Sequence, residues 1–332
     1  MQTVDNIRHN TKVAVLLGGV SEERDISLKS GSFCSSCLKK AGYQVRDFDT
    51  ASDNFIAGLL EWRPDVCFNA LHGYKGEDGH IQGLLEYLQI PYTHSGLYSS
   101  SFAMDKYITR LVYQDLGIPI APAIVLSLND VVADKGISPP YVVKPRCSGS
   151  SIGLHFVLDN DEVEEGRTLS ERFPELHTKL LCGQQICEQS LLIEKYIAGR
   201  ELSVGVVNGN ALTVTEIIFN GPIFDFDAKY CDGNVYHVVD CDIPDDIAGM
   251  CKHFAELAHK RLGCADVSRT DFRLQRTESG NYSVSDIFAL ETNTHPGMTK
   301  MSLIPEQIEY CYPSSDIVDF IVSMIEGAKC GR

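Results

Sequence analysis

Positive charge is scarce in this chain. Its 332 residues carry 29 lysines and arginines against 45 aspartates and glutamates, a formal net charge of −16. Nucleic-acid binding draws on basic patches that neutralise phosphate, so this balance argues against a nucleic-acid partner. An acidic protein that binds a phosphorylated ligand must gather its few cations locally, from lysine, arginine, backbone N–H groups or metal. Long apolar runs are missing too. No segment has the length to cross a bilayer, and residues 1–11 hold no apolar stretch of signal-peptide size. These absences lead to the expectation of a cytoplasmic protein without a membrane partner.

Metal and redox signatures are sparse despite 12 cysteines. The C-x-x-C pair Cys34-Ser-Ser-Cys37 has no second such pair and no histidine pair to complete a zinc set. It reads as two small residues on a helix, and the scatter of the other cysteines predicts reduced thiols. Two common phosphate-binding signatures are absent as well. Gly18-Gly-Val-Ser-Glu-Glu23 does not satisfy G-x-G-x-x-G, and Lys144 precedes the glycines of the loop at 148–153, so there is no Walker A motif.

What is present exceeds one hydrophobic core, so two or three domains are expected. Val13-Ala-Val-Leu-Leu17 reads as a buried strand running into Gly18-Gly19 and a helix from about Ser21, the opening of a parallel α/β unit. Residues 66–71 form a second such strand, followed by the glycine-rich turn 72–79. Helical spacing follows over 81–88, then a short strand over 90–93. A helix is expected over 102–116, a strand over 141–144 and a surface helix region over 159–175. From residue 191 the chain turns to long strands. Asn208-Gly209-Asn210 marks a hairpin between 201–207 and 211–218, and 278–281 marks another between 269–274 and 282–291.

The second hairpin carries the most chemistry. Counting from a turn at Gly280-Asn281 sets Asp271 opposite residue 290, beside Glu291. Glu291 and Asn293, two apart, share a face. Two carboxylates and an amide oxygen then converge, a hard-oxygen set suited to Mg²⁺. Solvated strand ends would read the same way, and the following Pro296-Gly-Met-Thr299 turn favours a site. Lys144 ends a hydrophobic strand before Ser148-Gly-Ser-Ser-Ile-Gly153, whose backbone N–H groups and hydroxyls suit phosphate oxygens, although such loops are more often plain turns. Residues 220–236 are aromatic-rich and lack a period; they read as a surface loop or as a lid carrying Lys229.

Taken in order, these segments resemble the D-alanine–D-alanine ligases, over residues 13–328. The resemblance rests on Leu17-Gly-Gly-Val-Ser-Glu-Glu-Arg24, Ala70-Leu-His-Gly-Tyr-Lys-Gly-Glu-Asp-Gly79 and Ala103-Met-Asp-Lys106. It continues through Val143-Lys-Pro145 with Gly149-Ser-Ser-Ile-Gly153, Ile193-Glu-Lys195, Gly199-Arg-Glu201, Asp227-Ala-Lys-Tyr230, Arg269-Thr-Asp271 and Leu290-Glu-Thr-Asn-Thr294 with Pro296-Gly-Met-Thr299. It implies a Rossmann-like parallel-sheet domain over 1–100, followed by a two-lobed ATP-grasp fold of α+β type over 101–190 and 191–332. The implied activity joins two D-alanines through an acyl phosphate, for peptidoglycan precursors. ATP and Mg²⁺ are implied, with Mn²⁺ as an alternative and a monovalent cation allowed, in a homodimer.

The same resemblance assigns roles. Lys106, Lys144 and Lys229 match the ATP-phosphate lysines, Glu194 and Glu201 the residues that hold adenine and ribose, and Ser151 and Lys195 further ATP-binding positions. Asp271, Glu291 and Asn293 match the magnesium ligands. Glu23 matches the acceptor for the first substrate's ammonium, with His72 beside it. Arg269 and the backbone of Gly297 match an oxyanion hole, and Ser302 and Leu303 the site of the second carboxylate. Ser150 and Tyr230, with Glu23, match the triad that orders the lid, and the tyrosine favours a dipeptide over an ester. D-serine or D-lactate as second substrate is the alternative.

The chain departs from the family pattern at Ser148, where glutamate is usual, at His94, where the motif Thr93-x-Ser-Gly96 usually has glycine, and at Thr292 and His295 beside the metal turn. The hairpin between Asp271 and Glu291 is also longer than typical. Three rivals stand beside this reading. Another ATP-grasp ligase need not keep Glu23, His72 or Ser302. A dinucleotide-dependent dehydrogenase leaves the second hairpin unexplained. A silent binding module would not need the intact ligands and lysines.

Overall fold

The computed structural model describes residues 7–127, 129–130, 137–149, 153–157, 168, 190–219, 235–277, 280–314 and 316–332. Nearly all of the expected helix region 159–175 and of the loop 220–236 lies outside these residues. Strand β1 (Lys12–Leu17) lies between β2 (Gln44–Asp49) and β3 (Val66–Asn69) in a parallel sheet. Alternate residues of β1 feed two cores, as the period of two requires. Val13 and Val15 pack with Cys34 and Leu38 of α1 (Arg24–Lys40). Ala14 and Leu16 pack with Leu59 of α2 (Phe55–Trp62) and Leu85 of α3 (His80–Tyr87). Helices on both faces explain why β1 and β3 are near-continuous apolar runs. The short strand expected over 90–93 is reduced to isolated bridges of Tyr92, parallel to Cys67 and antiparallel to Lys329.

The helix expected over 102–116 is two helices, α4 (Leu97–Met104) and α5 (Lys106–Asp115). Asp105 breaks them: its backbone is extended, and its side chain accepts hydrogen bonds from the N–H groups of Tyr107 and Ile108. A carboxylate that satisfies first-turn donors starts a new helix, which makes Lys106 its first residue.

A second, antiparallel sheet contains β4 (Ala123–Ser127), β5 (Tyr141–Pro145), β6 (His155–Val157) and β7 (Ser190–Lys195) in the order β4-β7-β5-β6. A third contains β8 (Gly199–Val207), β9 (Asn210–Ile218), β10 (Tyr236–Val239), β11 (Val267–Gln275) and β12 (Ile287–Asn293) in the order β10-β9-β8-β11-β12. Its apolar face packs on α6 (Asp245–Leu262), with Ile247, Cys251 and Phe254 against Val204, Val206 and Phe272. The chain then returns to the first sheet. Ile304 and Ile308 of α7 (Leu303–Cys311), and Phe320, Ile321 and Ile325 of α8 (Ile317–Glu326), join the core of Val13, Val15 and Phe68. Burial of each such side chain contributes roughly 2 kcal/mol.

Both hairpins form, and the second differs from its expected register. Asn208 and Gly209 have φ of 49° and 81°, the pair of positive values that a type I′ turn requires. In the second hairpin, residues 282–286 are not strand: a 3-10 turn spans Val284–Asp286, and β12 begins at Ile287. A bulge between Asp271 and Phe272 pairs Asp271 with Glu291 and Phe272 with Ala289. The partner of Asp271 is therefore Glu291 and not residue 290, because the bulge absorbs one residue of β12.

Eight described cysteines are free, with Cys34 and Cys37 both buried on α1. Cys147 departs from the expected reduced thiols: it is disulfide-bonded, on a partly exposed stretch after β5. Among the described residues, no helix is long and apolar enough to cross a membrane.

Candidate active site

The second and third sheets face one another across an open cleft bordered by Lys106, Lys144, Glu194, Lys195, Glu201 and Glu291. Lys144 is buried at the end of β5 and donates to Glu194 Oε2 at 2.7 Å, while Arg110 donates to Glu194 Oε1. A carboxylate held by two cations on one side of the cleft is well satisfied despite its burial. Lys195 is anchored on the carbonyls of Ser138 and Pro139, at 3.3 and 3.0 Å. Glu201 pairs with Arg273 at 3.2 Å, and Arg273 also lies over the rings of Tyr196 and Phe219. The break at Asp105 brings the Lys106 ammonium to the Ser148 carbonyl and 4.0 Å from Glu291 Oε2. Ser148 lines the cleft through this contact.

At the mouth of the cleft the bulged register puts four polar side chains on one face. Asp271 pairs with Glu291 and Arg269 with Asn293. Arg269 Nε donates to Asp271 Oδ1 at 2.9 Å and Nη2 to Oδ2 at 2.8 Å, and Ser203 Oγ donates to Oδ1 at 2.6 Å. Asn293 Oδ1 accepts from the His295 N–H at 2.7 Å. Each of these oxygens has more than one lone pair, so capacity for a cation remains. The hard-oxygen donor set on one face fits Mg²⁺.

A smaller hollow of about 370 Å³ leads on from the cleft, between Lys106, Gly149, Glu291 and Asn293 on one side and Glu77 on the other. Behind it lies the parallel-sheet unit. Glu23 holds the N-cap position of α1 without capping it. Its carboxylate instead lies against two glycines: a Cβ on Gly73 or Gly149 would come within 2.8 or 2.9 Å of Glu23 Oε2. Gly73 also has φ of 66°, so side chains are excluded there twice over. His72 is buried between Glu77 Oε1 at 3.0 Å and Ser30 Oγ at 3.3 Å. Burial alone would lower its pKa, but the hydrogen bond and charge of Glu77, with Glu23 nearby, raise it above the ordinary histidine value. His295, equally buried, goes the other way and is lowered to about 3 by burial and by His72.

Beyond the metal-like face, Gly297 approaches Ser302 so closely that a Cβ would sit 3.0 Å from Ser302 Oγ. Ser302 is the N-cap of α7 and its hydroxyl accepts from the Thr299 N–H at 3.0 Å. Leu303 is buried as the first residue of that helix.

Eight of the residues singled out from sequence border the cleft or the hollow behind it: Lys106, Lys144, Glu194, Lys195, Glu201, Asp271 and Glu291 on the first, Asn293 on the second. Glu23 and His72 sit behind, while Gly297, Ser302 and Leu303 form the turn into α7. Ser150, Ser151, Lys229 and Tyr230 lie outside the described residues. Sequence reasoning missed Arg110 and Arg273. Arg110 had a signal: it stands four residues after Lys106, on the same helical face. Arg273 had one too, two residues from Asp271 on the same strand face.

Two antiparallel sheets clasping a cleft, joined to a parallel-sheet unit, define the ATP-grasp class of fold. Comparison with known proteins carries this further. The model for the D-ala D-ala ligase C-terminus matches residues 112–323 and that for the N-terminus matches residues 50–95. The D-alanine–D-alanine ligase of Cereibacter sphaeroides is 42% identical over 321 residues, 97% of each chain, and that of Rhodospirillum rubrum is 40% identical over 96% of this chain and 98% of its own. The crystal structure of the D-alanine–D-alanine ligase from Bacillus anthracis superposes with a TM-score of 0.75 at 30% identity, covering 96% of this chain and 98% of that one. A structure of the B. anthracis enzyme complexed with ATP gives 0.73 at 29% identity, covering 95% of each chain. The chain belongs to the D-alanine–D-alanine ligase family.

Proposed function

We propose that this protein joins two D-alanine molecules to D-alanyl-D-alanine, with cleavage of ATP to ADP and phosphate, for peptidoglycan precursor synthesis. The observation that carries this reading is the hollow that shares Lys106 and Glu291 with the lysine-lined cleft and reaches Glu77 of the Glu23–His72–Glu77 cluster, with Asn293 on its lining and Asp271 in the adjoining cleft. It leads from an open, lysine-lined site to a small, charged, buried one.

In this reading ATP lies in the cleft, its phosphates toward Lys106 and Lys144, with Lys229 and Ser151 completing the set. The adenosine lies along Glu194, Lys195 and Glu201. The first D-alanine occupies the inner hollow, its ammonium toward Glu23 beside His72, with Ser150 and Tyr230 ordering the lid. Its carboxylate oxygen attacks the γ-phosphorus, the bond to ADP breaks, and an acyl phosphate forms. The amine of the second D-alanine attacks the acyl carbon and loses a proton. The C–O bond to phosphate then breaks and orthophosphate leaves. Arg269 and the Gly297 N–H face the oxygen that gains charge at that carbon. Ser302 and the N-terminus of α7, with Leu303, receive the second carboxylate, since helix N-termini favour anions.

Repulsion is the main barrier to the first step. Each like-charge pair at about 4 Å costs about 4 kcal/mol at an effective dielectric near 20. Asp271, Glu291 and Asn293 would hold Mg²⁺, or Mn²⁺ in its place, which supplies charge neutralisation at the phosphates. We extend the proposal to a cytoplasmic homodimer partitioned at residues 1–100, 101–190 and 191–332.

The test is phosphate release from ATP and magnesium with D-alanine, L-alanine, D-serine or D-lactate supplied in turn. D-Alanine should support release with dipeptide formation, and L-alanine and D-lactate should stay near background. No phosphate with D-alanine would overturn the reading.

A further inference from the structure

Two buried histidines far apart in the chain, His94 and His295, meet face to face in the fold. Their rings stack with centroids 4.7 Å apart and planes 24° apart. Both side chains are buried. The edge of Phe68 closes on the His94 ring, at 5.4 Å and 77°. Phe68 and His94 belong to the parallel-sheet unit, whereas His295 follows β12, the strand of Glu291 and Asn293. The stack therefore crosses the joint between the inner hollow and the metal-like face.

Hydrogen bonds tie both ends of the stack to the site. The amide nitrogen of Gln82 donates to the Gly76 carbonyl at 2.8 Å and lies 3.3 Å from His295 Nε2. A carboxamide nitrogen only donates, so Nε2 accepts and the ring proton sits on Nδ1, 3.0 Å from Thr294 Oγ1. The backbone N–H of His295 donates to Asn293 Oδ1 at 2.7 Å. On the other side, the His94 N–H donates to Asp266 Oδ2 at 2.8 Å, one residue before β11. His94 has φ of 70°, in the left-handed region. A residue whose ring is stacked and whose backbone N–H is bonded to Asp266 marks a position whose surroundings over-determine it.

We propose that His94 and His295 are positioning residues for the ligation: their stack locks the turn after β12 onto the parallel-sheet unit. Asn293 and Gly297 thereby stay in register with His72 and the first D-alanine. The inference rests on the ligase reading above. It separates the two halves of the site, because Lys144, Glu194 and Glu201 lie on β5, β7 and β8, away from the stack.

The test uses the full chain carrying His94→Gly. Glycine adopts this φ freely, so the variant loses the ring without backbone strain. The KM for the first D-alanine and the magnesium concentration for half-activation should each rise about ten-fold, as expected when reacting groups shift by a fraction of an ångström. The KM for ATP should stay within about two-fold, and added imidazole should restore at least half of the loss by filling the gap. A purely structural role would instead lower the active fraction, with both D-alanine and magnesium parameters unchanged. His295→Phe keeps a ring on His94 but drops the Gln82 contact. It should show a smaller rise of about three-fold in the same two parameters, and it decides the question if His94→Gly does not fold. Unchanged D-alanine and magnesium parameters, or an equal rise in the KM for ATP, would overturn the proposal. Phosphate release by the unaltered protein in the same assay tests the ligase reading separately.

Discussion

Glu194 shows how single residues build the site. Its carboxylate is buried on β7, yet Lys144 and Arg110 hold it from two directions. Removing one partner of such a cluster leaves charge uncompensated in a poor solvent, which typically costs about 3–5 kcal/mol. Arg110→Leu should therefore lower the urea midpoint substantially and raise the KM for ATP, because Lys144 would then be drawn wholly to Glu194. An unchanged midpoint and KM would mean that Arg110 is incidental. Lys144 was legible in sequence because it ends an apolar strand just before a serine- and glycine-rich loop. Arg110 was not, since an arginine on an amphipathic helix normally marks the solvent face. Only its four-residue offset from Lys106 hinted otherwise. His94 and His295 stood out as departures, but nothing local said that residues so far apart in the chain would touch.

Elements were legible where their chemistry is local. Asn208-Gly209 announced the β8–β9 hairpin because both residues must take positive φ, and they do. Gly209 has open space around a would-be Cβ. Gly209→Ala should therefore cost only the left-handed conformation, about 1 kcal/mol, read as a lower Tm with unchanged turnover. A neutral effect on Tm would show that the turn relaxes to another type. Non-uniform pairing was harder to see. Counting residues back from the second turn assumes even pairing, whereas the bulge after Asp271 shifts the partner by one. The hydrogen bonds from Ser283 to Asp286, at 2.7 and 2.9 Å, fold residues 283–286 into a 3-10 turn where a strand was expected. Asp105 likewise divides an apolar-periodic stretch by capping α5, a signal that a search for N-caps would have caught.

At the scale of the molecule, the joints between sheets govern behaviour, and they are the least legible feature. That α8 returns to the first sheet is a matter of contacts across almost the whole chain. Ionisation adds a pH dependence with opposing parts. His259, buried on α6 against Ser268 at 2.7 Å, has its pKa lowered from 6.5 to about 4 by burial. The folded state then binds fewer protons than the unfolded one below pH 6.5, so stability is lost as pH falls toward 4, by on the order of 3 kcal/mol. His72, raised by Glu77, acts in the other sense: its contribution is present at low pH and lost as pH rises through its elevated value. His259→Gln should therefore flatten the acid side of the stability profile, by roughly 2 kcal/mol between neutral pH and about pH 5, as measured by urea unfolding. An equally steep fall in the variant would place the acid sensitivity elsewhere.

In the proposed reaction the lysines, acidic strand face and inner hollow serve one event, the passage of a carboxylate oxygen to the γ-phosphorus of ATP. That event leaves an isotopic record. D-Alanine labelled with ¹⁸O in its carboxylate, turned over with ATP and magnesium, should give orthophosphate carrying one ¹⁸O for each dipeptide formed. Orthophosphate released without label, alongside dipeptide, would contradict an acyl phosphate and the account built on it.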